Sequence, residues 1–243
     1  MKNHWLGIST LVFCLLPMAL CASSGEIVVG GFSSMTPGQA VTGWAPMTFD
    51  KIDAHTVYTL VTDDGRTVLQ ATSHASASGM IRELSVDPET YPLIQWRWKV
   101  ATILEKGDVR KKSGDDYPAR IYITFAEDPA KLSFFQRARL SAIKLIYGKT
   151  PPAAALSYIW GNHAETGSIH PNPYTDRVQM IVVDSGTAHL NQWRTVERDL
   201  VADFREAFGS EPPPISGIAV MTDTDNTGGS ATAWYGDIIL RQR

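Results

Sequence analysis

The stretch LIQWRWKV, residues 93–100, alternates without a break: Ile94, Trp96, Trp98 and Val100 fall on one side, Gln95, Arg97 and Lys99 on the other. Successive side chains of a strand point to opposite faces, so this pattern fits a half-buried sheet rather than a helix. Two tryptophans on one strand face need a second layer to bury them, since a sheet must pack its apolar face on something. ARIYITF, residues 119–125, repeats the pattern with Ile121, Ile123 and Phe125 inward and Arg120, Tyr122 and Thr124 outward. Together the two segments predict neighbouring strands that share one core face and one polar, cation-bearing face.

The rest of the chain is punctuated in the same way. EIVVGGF reads as a first strand, and VYTLVTDDGRTVLQATS as two strands joined at Asp63-Asp64-Gly65. MIRELSV, LSYIW, RVQMIVV, WRTVER, GIAVMT and ATAWYGDIIL supply further β-rich runs. Asp128-Pro129 starts a longer helix over about 129–147, and a short one runs from Asp199 to Phe208 with Leu200, Phe204 and Phe208 on one stripe. The pattern predicts an all-β fold: an antiparallel, jelly-roll-like β-sandwich with one longer inserted helix and one short helix.

Met1 to Ser24 has one lysine, an apolar run from Leu6 to Leu20 and then small residues, the layout of a secretory signal peptide. The expected organisation is a leader at 1–24 and a single sandwich domain at 25–243, placed in the periplasm. Lipid anchoring at Cys21 is the lesser alternative, because Leu20 stands where a small residue is wanted. Both cysteines, Cys14 and Cys21, lie in the leader, which excludes disulfides, cysteine zinc sites and thiol nucleophiles from a processed chain. A net charge of −3 gives no basic footprint for nucleic acid.

Four constellations carry candidate chemistry. In SGDDYPAR, Asp115 and Asp116 precede Arg120, a grouping that orients a polyol or simply tethers its own loop by an ion pair. In TDTDNTGG, Asp223, Asp225 and Asn226 resemble the start of a calcium loop, although Trp234 stands where the twelfth-position carboxylate belongs. Asx-type turns closing a hairpin are the preferred reading there, with structural calcium as the alternative and no other cofactor expected. His163, Glu165, His170 and Asp176 match no zinc spacing and read as loop residues. Finally, Trp44 and Trp160 sit in or beside loops and are the tryptophans expected to be exposed for stacking on a ligand.

The segments QWRWKV, GDDYPARIYITF, SYIWGN, WRTVERDLVADFREAFG and IAVMTDTDNTGGSATAWYGDI, in that order, resemble a bacterial exported family of unknown function, number 3047. The resemblance runs from about Phe32 to Leu240. It implies an architecture similar to galactose-binding-like and carbohydrate-binding jelly rolls, and it implies no catalytic residue.

The leading functional expectation is a non-catalytic module binding a glycan or other small polar, polyhydroxylated ligand of the cell envelope. Its candidate residues are Arg97, Lys99, Asp115, Asp116, Arg120, Tyr122, Trp44 and Trp160. A rival is an envelope hydrolase or lyase using Asp115, Asp116 and Arg120. A third reading is a structural or interaction protein of the envelope. Between Lys131 and Lys149 there are five basic residues and no acidic ones, which also allows the 129–147 helix to lie on an anionic membrane surface.

Overall fold

The computed structural model describes residues 25–127 and 152–243; the leader read at 1–24 and the helix read at 129–147 lie outside the described residues. The described elements are β1 (Glu26–Gly30), β2 (Ala45–Met47), β3 (Val57–Asp63), β4 (Arg66–His74), β5 (Ala77–Val86), β6 (Leu93–Val100) and β7 (Arg120–Phe125). They continue with β8 (Ala154–Gly161), β9 (Ile169–Asn172), β10 (Thr175–Ser185), β11 (Arg194–Asp199), α1 (Leu200–Phe208), β12 (Ile215–Asp223) and β13 (Ser230–Arg241).

The strands form two packed sheets, a jelly-roll-like sandwich. A six-stranded sheet runs β11-β6-β13-β4-β3, with β1 pairing the C-terminal half of β13. A seven-stranded sheet runs β2-β5-β12-β7-β8-β10-β9. Pairing is antiparallel except between β8 and β10, which run parallel. The Asp64-Gly65 turn joins β3 to β4 with both residues at positive φ, 50° and 70°, the two-residue geometry that matches strand twist.

Strand alternation was a sound guide to the core. Trp96, Trp98, Ile121, Ile123 and Phe125 are all at most 1% exposed. The tryptophans of β6 reach the opposite sheet: Trp96 packs on Tyr158 with ring centroids 5.1 Å apart, and Trp98 on Trp160 at 6.0 Å. The expectation that β6 and β7 are neighbours is corrected, because they lie in opposite sheets and face each other across this core. Alternation tells which side of a strand is buried, whereas pairing is set by long-range connections that no local pattern encodes. The first strand also stops early, at Gly30; Phe32 turns in and packs on Trp44 at 5.4 Å.

Two edge strands were not read from the sequence. β2 contains Pro46 and β9 contains Pro171, and both close the seven-stranded sheet at its margins. Proline cannot donate to a ladder, which confines it to such edges and hides them from a β-propensity reading.

The short helix matches its expectation. Asp199 accepts hydrogen bonds from the backbone N–H groups of Val201 (3.1 Å) and Ala202 (3.0 Å), and Gly209 closes the C-terminus. Leu200 and Phe204 are buried, with Phe204 edge-on to Phe125 at 4.7 Å. Asp199→Ala removes both cap bonds and should cost about 1 kcal/mol, read as a lower urea midpoint with an unchanged slope.

Candidate functional site

Arg120 opens β7, and strand parity sends it to the outer face of the seven-stranded sheet with Tyr122 and Thr124. It is nevertheless 1% exposed, so the reading of an outward, solvent-facing arginine is corrected. The loop before β7 folds back over this end of the face, and the Tyr117 ring covers the guanidinium at 4.3 Å. Alternation names a face but cannot say that a loop will cover it.

Under that cover every arm of the guanidinium is engaged. Nε donates to Asp223 Oδ1 at 2.8 Å, and Nη2 donates to the second Asp223 oxygen and to the Asp115 carbonyl. Nη1 reaches the Tyr122 hydroxyl at 3.1 Å and Asp115 Oδ1 at 3.4 Å. Asn172 of β9 donates to the remaining Asp115 oxygen at 2.9 Å. Asp116, wholly buried, accepts from the backbone N–H of Asn226 (3.2 Å), from Asn226 Nδ2 (3.1 Å) and from the N–H of Thr227 (2.6 Å). The network therefore sews together β7, β12, the loop before β7 and residues 224–229.

That last segment is not the hairpin turn expected from its composition. β12 and β13 belong to different sheets, so residues 224–229 cross between them. The crossing runs beside the corner from β4 to β5, where Ser73 Oγ meets Ser76 Oγ at 2.9 Å and Thr224 Oγ1 at 2.8 Å. Small hydroxyl residues satisfy one another where both sheets bend into each other.

The charges shape the titration of this site. Burial pushes Asp223 up to about 7; Arg120 pulls it down, while Asp116 and Asp115 push it further up. Burial and then Asp116 raise Asp225. Burial works against the Arg120 cation, yet Asp223 more than offsets this and holds it well above its ordinary range.

The carboxylates of Asp116, Asp223 and Asp225 offer oxygens within 4.8 Å of one another, the one such group of potential metal ligands among the described residues. Three carboxylates suit a hard cation such as calcium. The set differs from the expected Asp223, Asp225 and Asn226. Asn226 donates its amide N–H to Asp116 and accepts from the Tyr174 hydroxyl at Oδ1 (2.8 Å), while Asp223 is already spent on Arg120. Arg120 supplies the positive charge beside Asp223 that the alternative calcium reading would have given to a metal.

Arg97 and Lys99 stand elsewhere, on the outer face of the six-stranded sheet, and do not join Arg120 and Tyr122 in one site. Lys99 Nζ bonds both oxygens of Asp63 at 2.7 Å and lies over the rings of Trp234 (4.4 Å) and Trp193 (5.3 Å). The Trp193 indole N–H donates to Asp63 at 2.8 Å, and the Arg97 guanidinium stacks on the same ring at 4.1 Å. Both tryptophans are half-buried. Neither was singled out in the sequence, although parity signals Trp234: its neighbours Ala233 and Tyr235 face the core.

The tryptophans expected to be exposed are buried. Trp44 is 8% exposed against Phe32, and Trp160 is wholly buried, its indole N–H on the Gly186 carbonyl at 3.1 Å. Trp160 has the core parity of β8, and its nearness to a loop concealed that. His163 and His170 line a cleft of about 590 Å³ between residues 105–111 and 162–170. His163 bonds the Glu105 carbonyl at 3.0 Å and His170 the Ser168 hydroxyl at 2.9 Å. Glu165 lines the same cleft, whereas Asp176 is exposed on β10 away from it.

A family model described as a protein of unknown function, DUF3047, matches residues 42–239. No curated protein matches the chain in sequence. Among solved structures, the chain is similar to the family 11 carbohydrate-binding module of a cellulosomal cellulase of Clostridium thermocellum, with 12% identity and a TM-score of 0.47 over 91% of this chain and 97% of that one. The same module in complex with a β-1,3-1,4-mixed-linked tetrasaccharide gives 11% identity and 0.42 over 91% and 98%. Endoglucanase 3 of Trichoderma harzianum, from family GH12, gives 8% and 0.39 over 84% and 100%. At these scores the likeness says nothing about what this chain binds.

Two outcomes follow from the Arg120 network. Arg120→Ala leaves Asp223 and Asp115 buried without their counter-charge and should cost about 3–5 kcal/mol, measured by urea unfolding. The second concerns pH. A carboxyl raised in the folded state binds protons there that the unfolded chain has already released. Its contribution is full below the unfolded value near 3.8 and is lost as pH rises through about 7. Stability should therefore fall between pH 5 and pH 8 in chelator-treated protein, and Asp223→Asn should flatten that slope.

Proposed function

The chain belongs to the DUF3047 family, and we propose that it is an exported, non-catalytic module that binds a glycan or similar polyhydroxylated ligand on the outer face of the six-stranded sheet. The observation that carries this reading is the cluster of Trp193, Trp234, Arg97, Lys99 and Asp63. Half-buried indoles offer apolar planes for the C–H faces of a sugar ring, while neighbouring charged groups hold its hydroxyls. Asp63 fixes both Lys99 and the Trp193 indole N–H, so the platform is ordered before a ligand arrives. Less freedom is then lost on binding. The apolar leader supports export and, with it, a periplasmic location for the module.

The same geometry weighs against the hydrolase or lyase reading. A general acid or base must come within hydrogen-bond reach of its substrate. Asp115, Asp116 and Arg120 are at most 6% exposed and already bonded to protein groups. Such residues tether loops.

The test is a titration of soluble envelope and plant glycans followed by intrinsic tryptophan fluorescence, with product analysis of every hit. Trp193→Ala and Trp234→Ala should each weaken binding by tenfold or more, with no product formed by the parent protein. Binding indifferent to both substitutions would remove the platform. Product formation that vanishes in Asp115→Asn would return the site to the buried carboxylates.

A further inference from the structure

Beside Trp193 the six-stranded sheet has a cavity of about 200 Å³, lined among others by Arg66, Gln95, Arg97, Thr195 and Asp237. It lies where β13 bulges between Tyr235 and Ile238, opposite Arg97 of β6. The bulge brings Gly236 beneath the Arg97 side chain, and a Cβ there would overlap Arg97 Cγ. Glycine at this position is what lets the arginine lie flat across the strand, with its guanidinium on the Trp193 ring.

The charges of this cavity are unbalanced. Arg97 Nη2 is closed from solvent and has no hydrogen-bond acceptor, and neither Arg97 nor Arg66 has an ion-pair partner among the described residues. The carboxylate at the cavity wall, Asp237, is held by the backbone N–H (2.8 Å) and hydroxyl of Ser33, which lines the same cavity. Other buried or half-buried cations among the described residues have acceptors: Lys99 has Asp63, Arg120 has Asp223, Arg198 has Asp203 and Arg82 has the Val29 carbonyl. A guanidinium left without an acceptor stands out against that habit, because a desolvated donor with no partner is costly to keep.

We propose that this cavity takes the carboxylate of an acidic sugar, so that the ligand of the platform is a uronate-containing oligosaccharide. The inference rests on the platform reading above and names the substrate class for that same face. A guanidinium presents parallel N–H groups in the spacing of a planar carboxylate, a match an ammonium lacks. Arg97 lines the cavity and stacks on the indole, so a carboxylate entering the cavity meets the guanidinium beside Trp193, and a turn of the side chain brings the enclosed Nη2 to complete the fork. Arg66 adds a second positive charge at the rim. Asp237 remains available to accept from ring hydroxyls, and the three side chains together leave one net positive charge for the ligand to neutralise. Thr195 and Gln95 supply further polar contacts at the wall.

The experiment is calorimetric titration with a panel of glucuronate, galacturonate and mannuronate oligosaccharides, each beside its counterpart with carboxyls reduced to primary alcohols. The expected result is that at least one uronate binds tenfold or more tightly than its reduced counterpart, with an affinity that falls as salt rises. Arg97→Gln should erase that preference, Arg97→Lys should restore only part of it, and Arg66→Gln should narrow it several-fold. Circular dichroism and thermal unfolding of each variant establish that the fold is kept. Equal binding of the uronate and reduced forms, or a preference untouched in Arg97→Gln, overturns the acidic-sugar assignment while leaving the platform intact. Binding of neither form overturns both.

Discussion

A guanidinium buried between two strands and a loop constrains this molecule more than any other single group. Arg120 carries a charge that water does not reach, and such a charge is tolerated only where its donors are matched. Asp223 of β12 meets it in a two-pointed contact, Asp115 approaches from the loop before β7, and Tyr122 takes a remaining donor. Removing any of these leaves an uncompensated charge or donor, so the four positions are effectively chosen together. A purely apolar contact would have allowed the loop and the 224–229 crossing to shift against the sheet. The charged one specifies a single arrangement, and Asp116 extends it by receiving the backbone of Asn226 and Thr227.

The layers of the fold were legible because they depend on local periodicity. Trp96, Trp98, Ile121, Ile123 and Phe125 were assigned to the core by parity alone, and all are there. The capped helix at Asp199 was also readable, since it is written in neighbouring residues. What failed was non-local. The partners of β6 and β7, the crossing at 224–229 and the loop over Arg120 all depend on where distant segments come to rest.

The site was less legible for a related reason. Arg97, Lys99, Asp115, Asp116, Arg120 and Tyr122 were grouped on the premise of adjacent strands, and opposite sheets divide them into two sets on two faces. Arg97 and Lys99 share their face with Trp193, Trp234 and Asp63, company that the sequence reading missed. Trp193 and Asp63 lie 130 residues apart in sequence and meet only through the hydrogen bond between them. Trp44 and Trp160 were chosen for nearby loop residues, but exposure is decided by parity and by what lies opposite. For Trp160 the parity was available in SYIWG; for Trp44 the partner Phe32 was not predictable from spacing.

The two outer faces differ in how their charges are satisfied. On the seven-stranded sheet, cation and carboxylates satisfy one another, so a polar ligand gains nothing there that it does not first have to break. On the six-stranded sheet, Lys99 is held by Asp63 between two indoles, a contact that orders the rings without covering them completely. Arg97 shares one of those rings but not the carboxylate, since both Asp63 oxygens are taken by Lys99 and one also by Trp193. Electrostatics is thus saturated around Lys99 and left open one residue pair away on the same strand face. A surface that had evolved only to be stable would gain by supplying Arg97 with an acid from β11 or β13. Thr195 stands directly opposite Arg97 on β11, and Gly236 lies beneath it on β13. Neither can neutralise it, and Asp237, the acid that β13 does bring to this cavity, is held by Ser33, so the guanidinium is the open donor of the proposed site.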